Sequence, residues 1–287
     1  MATTTSKQMV WHSVKTILGI KNEIASVLNG ANYEPDLSAT LNAKYNLFPT
    51  TKPSTDAAGN VTVPKLGWFG IGINGHYNVT DDNISQARVP KMTNMDIYEP
   101  IPFVCVPLDE DLPDYRVKYR MRVIRNVGSI QYVMYYLKPI QLVDSVVQIV
   151  RIDPNTQREI AYELDTANLH PIPPVPQTSG VIEGTSAEIQ VSQKFMLPIS
   201  GSEVCDPVSV LYEGDLRRAR LSEYGLYTGQ EQTMVGYDAN GVSFNYNEVI
   251  CCHLAVHTTT LGMDGSNASN VLDRVVTMTG GNVATLD

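Results

Sequence analysis

The run Cys251-Cys252-His253-Leu254-Ala255-Val256-His257 gathers two thiols and two imidazoles within seven residues. Such side chains ligate zinc when an HxxxH pair shares one face of a helix. The surrounding Val249, Ile250, Val256, Thr258, Thr259 and Thr260 favour a strand instead. Four residues of strand separate His253 from His257 by about 13 Å, too far for one ion, and Cys251 and His253 stand about 6.6 Å apart on one face. That second pair would need ligands from elsewhere. The run is expected to be a half-buried strand with small thiols in the core, not a metal site.

Gly70-Ile71-Gly72-Ile73-Asn74-Gly75 matches GxGxxG, the loop that seats a pyrophosphate on a helix N-terminus. The following His76-Tyr77-Asn78-Val79-Thr80-Asp81-Asp82-Asn83 has no helical period, so the glycines are expected in a tight turn or closely packed strands. Neither a GxSxG elbow nor an HExxH helix occurs. No residue is assigned to catalysis, metal binding or a cofactor, and the chain is read as a non-enzyme.

Four of the 21 Lys and Arg residues, Arg116, Lys118, Arg120 and Arg122, alternate with Tyr115, Val117, Tyr119, Met121 and Val123. On a strand these cations share one face and repel each other unless an anionic surface opposes them. Asp109-Glu110-Asp111, between Leu108 and Leu112, is an acidic turn that can supply that surface from a neighbouring copy. Two other readings stay open: an edge strand whose charges discourage aggregation, and a contact with a passing nucleic acid strand.

The elements that must position these residues are mostly β. Alternation over Tyr115 to Val123, the turn Asn126-Val127-Gly128-Ser129 and the apolar Ile130 to Lys138 predict a hairpin. Leu142 to Ile152 and Glu159 to Leu164 form a second across Asp153-Pro154-Asn155-Thr156. Ala187 to Phe195 and Glu248 to Thr260 read as further strands, and Glu213 to Tyr224 as a short helix. Val10, Trp11, Val14, Ile17, Leu18, Ala25 and Leu28 make one helical stripe, interrupted by Lys21 and stopped by Asn29-Gly30. That helix is expected to lie on the domain's own core, or else to dock on a neighbour. The fold class is therefore mainly β (α+β): antiparallel hairpins in a sandwich or barrel, with one N-terminal amphipathic helix and extended arms. The expected division is a helix and proline-rich arm over 1–65, a β domain over 66–170, a second β lobe over 177–262 beyond the connector HPIPPVP, and a polar tail over 263–287 held by a neighbour.

Composition narrows the class. A hydrophobic fraction of 43% with 18% charged residues describes a folding chain, and a net charge of −9 disfavours nucleic acid binding as the main task. The start MATTTSKQMVWHSV lacks the apolar run of a signal peptide, and no stretch approaches the roughly 20 apolar residues that span a bilayer. Adjacent Cys251 and Cys252 do not suit a stapled secreted framework, so the four cysteines are read as reduced.

Stretches such as YRVKYRMRVIRNVGSIQYVMYYLKPI and RIDPNTQREIAYEL, with the Thr-rich start, single N-terminal helix, Pro-rich connector and polar tail, resemble structural proteins of tailed-bacteriophage virions. The style is that of neck, tail and baseplate components. The resemblance implies a ring subunit that contacts copies of itself and other virion proteins, in a virion assembled in the host cytoplasm, with no membrane partner. It transfers no residue role. A major capsid role is disfavoured because no long helix crosses the middle of the chain. A glycan or host-surface binding module, suggested by the 15 tyrosines and the β content, and a cell-wall hydrolase are the alternatives.

Overall fold

The computed structural model describes residues 11–28, 33–57, 59–79, 84–144, 146–153, 156, 158–163, 169, 185–280 and 283–286. The expected connector at 170–176 lies outside them. The fold is mainly β and antiparallel, as expected. Its two compact units are not successive lobes: the first joins Met1–Ile140 to Ile199–Leu272, and the second joins Gln141–Pro198 to Asp273–Asp287.

The first unit is built on an eight-stranded sheet. In chain order its parts are β1 (His12–Lys15), α1 (Ile17–Val27), α2 (Leu41–Tyr45), β2 (Lys65–Gly72), the separate hairpin β3 (His76–Val79) and β4 (Ile84–Ala87), β5 (Pro100–Ile101), β6 (Val104–Pro107), α3 (Pro113–Lys118), β7 (Arg120–Val127) and β8 (Ile130–Pro139). The chain then passes into the second unit. The first resumes with α4 (Ser202–Leu211), β13 (Arg220–Tyr237) and β14 (Ser243–Asp264). The sheet order is β1-β14-β13-β2-β8-β6, with β5 on β2 and β7 on β8. Because β2 pairs with β13, residues expected in different lobes share one ladder, and this overturns the division at 170–176.

The 18- and 22-residue strands β13 and β14 form a long hairpin. Its turn is closed by Asp238, whose carboxylate accepts the N–H groups of Asn240 at 2.9 Å and Val242 at 2.8 Å. Register shifts in β13 and a positive φ of 51° at Cys251 in β14 bend the hairpin. Asn42 of α2 fits that bend: its amide donates to Val249 O at 2.9 Å and accepts from Cys252 N at 3.0 Å. The expected free arm therefore packs on its own chain in part, with Tyr33, Ala39, Leu41 and Tyr45 buried. The core places Leu41 and Tyr45 against Met121, Met134, Tyr136, Tyr227 and Leu254. Tyr45 and Tyr136 stack at 4.6 Å.

Two local expectations fail. The alternating Tyr115 to Val123 begins as helix α3, because Pro113 sits at its first position, Asp114 in its first turn and Arg116 and Lys118 in its last, each favourable to the helix dipole. The chain becomes strand only at Arg120, and Met121 takes a φ of 57°. The short helix expected over Glu213 to Tyr224 is instead α4, ended before Glu213 and Gly214, both at positive φ.

The second unit is a six-stranded sheet of β9 (Gln141–Leu142), β10 (Gln148–Ile152), β11 (Glu159–Ala161), β12 (Thr185–Leu197), β15 (Arg274–Gly280) and β16 (Val283–Leu286). The hairpin expected here is present as β10 paired with β11. The expected tail is two strands, β15 and β16, hydrogen-bonded along β12.

Candidate functional site

The seven residues expected at a subunit interface are dispersed. Asp109 and Glu110 are exposed in a 3-10 turn, Lys118 is exposed at the end of α3, and the other four turn inward or against their own chain. Asp111 is the hub. Its carboxylate accepts from Arg116 Nε at 3.1 Å, from Arg122 Nε at 3.0 Å and Nη2 at 2.8 Å, and from the Tyr135 hydroxyl at 2.7 Å. Arg120 pairs with Glu231 at 2.7 Å and donates to the carbonyls of Val117 at 2.9 Å and Tyr119 at 2.8 Å. Phe244, near the tip of the β13–β14 hairpin, lies 3.5 Å below the Arg116 guanidinium. The anionic partner of these arginines is thus in the same chain, and the interface assigned to Arg116, Arg120, Arg122 and Asp111 gives way to an internal clamp. The helix at 113–118 destroys the common face.

The thiol and imidazole run lies in β14. His253 Nε2 reaches Asp36 O at 2.9 Å, while His257 Nε2 reaches Glu223 at 3.0 Å. The two rings serve different partners. Asn94 donates to His257 Nδ1 at 2.9 Å, which places the ring proton on Nε2, facing Glu223. Burial pushes the Cys105 and Cys251 thiols up to about 12 and Cys252 well above the usual range, so none is a thiolate at neutral pH. Among the described residues no three His, Cys, Asp or Glu side chains are grouped to hold a metal.

Glu223, invisible to sequence patterning, is the centre of a second buried cluster. Its fully buried carboxylate accepts the backbone N–H groups of Asn74 at 3.2 Å, Glu99 at 2.8 Å and Tyr98 at 2.9 Å, besides His257. The GxGxxG glycines make this approach possible. A Cβ on Gly72 would stand 2.6 Å from Glu99 O and 2.7 Å from Glu223 Oε1, and one on Gly75 would stand 2.1 Å from Ser222 O. The motif reports close packing of strand and turn, as its context implied. Glu248 is held the same way by the N–H groups of Met121, Arg122 and Val249. Glu203 binds the Tyr119 hydroxyl and Lys138 Nζ, each at 2.6 Å. Over the Glu223 cluster opens a cavity of about 380 Å³ lined by Asn74, Tyr77, Arg88, Val89 and Tyr98.

Helix α1 lies on the sheet with Asn22 buried and Leu18, Gly19, Ile20 and Ala25 half-buried. Residues Trp11 to Lys15, expected within it, form β1 and its approach, and the helix proper starts after the cap Thr16, which accepts from Gly19 N at 3.0 Å. Its one buried side chain is Asn22, which donates to Thr228 at 2.7 Å and accepts from the Tyr33 hydroxyl at 2.6 Å. Gly19 lets the helix touch β14, since a Cβ there would lie 2.4 Å from Ala255 O. Ile17 and Ile24 are left 53% exposed, Val27 80% and Leu28 74%. Spaced at i, i+7, i+10 and i+11, they lie on the outward side, with the exposed Lys21 among them. On the second unit Leu142, Val146, Val147, Ile160 and Val275 are exposed too.

These features define a mainly β protein of two antiparallel units whose buried carboxylates hold backbone in place. The chain belongs to a family of unknown function (DUF7208), whose profile matches residues 1–286. No curated protein and no solved structure matches it. No described helix is long and apolar enough to cross a membrane.

Proposed function

We propose that this chain is a structural subunit of a tailed-phage particle, in a ring at the neck, tail or baseplate, and that it acts through contacts with copies of itself and other virion proteins. The observation that carries the reading is the apolar exposure on α1: Ile17, Ile24, Val27 and Leu28 face outward. A helix that leaves four large apolar side chains in solvent suits a surface that another chain covers. Completing the burial of those four side chains contributes on the order of 1 kcal/mol each. The second unit carries exposed apolar residues of its own, and head-to-tail ring contacts join unlike surfaces of successive copies. The hairpin of β7 and β8, within the stretch whose style resembles such components, supports the particle type. The carboxylates Glu223 and Glu248 are each saturated by three backbone N–H groups, which supports a structural rather than a chemical use.

Native mass measurement tests this. The full chain should form a closed oligomer, and Ile24→Glu should reduce it to monomer while leaving the circular dichroism and melting temperature unchanged, because Ile24 is half exposed within one copy. A wild-type chain that stays monomeric at all concentrations and binds no virion component would remove this reading.

A further inference from the structure

The cavity above Glu223 has no part in ring assembly as proposed, and its lining has a chemistry of its own. We propose that it is a binding site for the carboxylate-bearing sugar of an acidic glycan. Arg88 makes no ion pair among the described residues. Its Nη2 donates to Asn74 Oδ1 at 3.2 Å, which fixes the amide so that Asn74 Nδ2 is left as a donor. The guanidinium lies 5.4 Å from the centre of the Tyr77 ring.

Both aromatic walls are tethered. The Tyr77 hydroxyl donates to Gln86 Oε1 at 2.7 Å, and the Tyr98 hydroxyl to Val89 O at 3.1 Å. Tyr98 is also braced against the His257 ring at 4.8 Å, and through it against Glu223. Fixed walls lose little freedom when a ligand arrives.

The Glu223 carboxylate is occupied by three backbone N–H groups and His257, and the cation of the cavity lining is Arg88. A single planar guanidinium matches a planar monoanion in charge and shape. The lining offers no second cation for a phosphate dianion. A volume of about 380 Å³ is at the small end for ligand sites and suits a ring-sized guest. Tyrosine faces take the C–H side of such a ring, and Asn74 and Arg88 take its hydroxyl and carboxylate oxygens.

Ligand-observed NMR and calorimetry on the full chain, with glucuronate, glucose, acetate, inorganic phosphate and a short peptide bearing a free C-terminus, test the assignment. Glucuronate should bind saturably with a Kd of roughly 1 mM or tighter. Glucose and acetate should bind at least about tenfold more weakly, each lacking one half of the recognition. Arg88→Gln and Tyr77→Ala should each weaken glucuronate by about tenfold, and Arg88→Lys should restore part of it, all without a change in melting temperature or in oligomer mass. The assignment is overturned if glucuronate does not bind, if acetate or phosphate binds as well, if the peptide binds better, or if Arg88→Gln binds like wild type. None of these outcomes touches the ring reading, whose readout is mass.

Discussion

Asp111→Ala should destabilise the protein far more than any other charge removal at its surface or core edge. The Asp111 side chain is 1% exposed and that of Arg122 4%. Deleting the carboxylate leaves the Arg122 guanidinium a hydrogen bond to Tyr237 O at 3.3 Å and the faces of Phe244 and Tyr246. It also strands the buried Tyr135 hydroxyl. Removing one partner of a buried ion pair costs about 3–5 kcal/mol. At about 2–4 °C per kcal/mol for a body of this size, the melting temperature should fall by roughly 6–20 °C. Glu231→Ala is the control: its side chain is 41% exposed, and Arg120 keeps the carbonyls of Val117 and Tyr119, so the loss should stay below about 1 kcal/mol. Urea unfolding followed by tryptophan fluorescence reads both as midpoint shifts at constant slope. A double variant, Asp111→Ala with Arg122→Met, should recover stability relative to the single one, because no charge is then left buried without a partner. Should Asp111→Ala cost no more than Glu231→Ala, or disperse an oligomer without lowering the melting temperature, the internal clamp is wrong and these residues return to the subunit interface.

Further tests follow from packing and titration. Gly75→Ala should cost about 1–3 kcal/mol, since its Cβ would meet Ser222 O at 2.1 Å with backbone on both sides; Gly67→Ala, with nothing within 4 Å, should be neutral or stabilising by up to about 1 kcal/mol. Thermal melts of the two variants decide, and equal effects would refute the close approach. Burial holds the His253 pKa below its ordinary 6.5, so the unfolded chain takes up that proton first. The associated stability is complete above pH 6.5 and is lost as pH falls through the depressed folded value, with a slope of at most about 1.4 kcal/mol per pH unit. His253→Asn should flatten the loss of melting temperature on acidification, and a curve as steep as wild type would count against this account.

What the sequence by itself determined was the local texture. Period-two alternation and turn residues were enough for an antiparallel β protein, for the turn at Gly128 and for the strand through His253 and His257, because those signals act between neighbours. The context after Gly75 was enough to reject a nucleotide loop. Where two periods fit the same letters, locality failed: Arg116 and Lys118 suit a strand face or the last turn of a short helix, and Pro113 decided for the helix. Which acid of Asp109-Glu110-Asp111 is buried depends on Arg122 and Tyr135, 11 and 24 positions away. Glu223 meets His257 across 34 residues, and Asn22 meets Thr228 across 206. Of the stripe expected on α1, Trp11 and Val14 fall outside the helix and only Ile17 and Leu28 are among the outward residues, because a helix pattern does not say where the helix starts or whether an inward amide will find partners. Ladders between distant strands settled those matters, as did the pairing of β2 with β13 that turns residues 141–198 into part of a separate unit. A backbone hydrogen bond holds equally well between residues five or 150 apart, and only the folded chain fixes which distant residues meet.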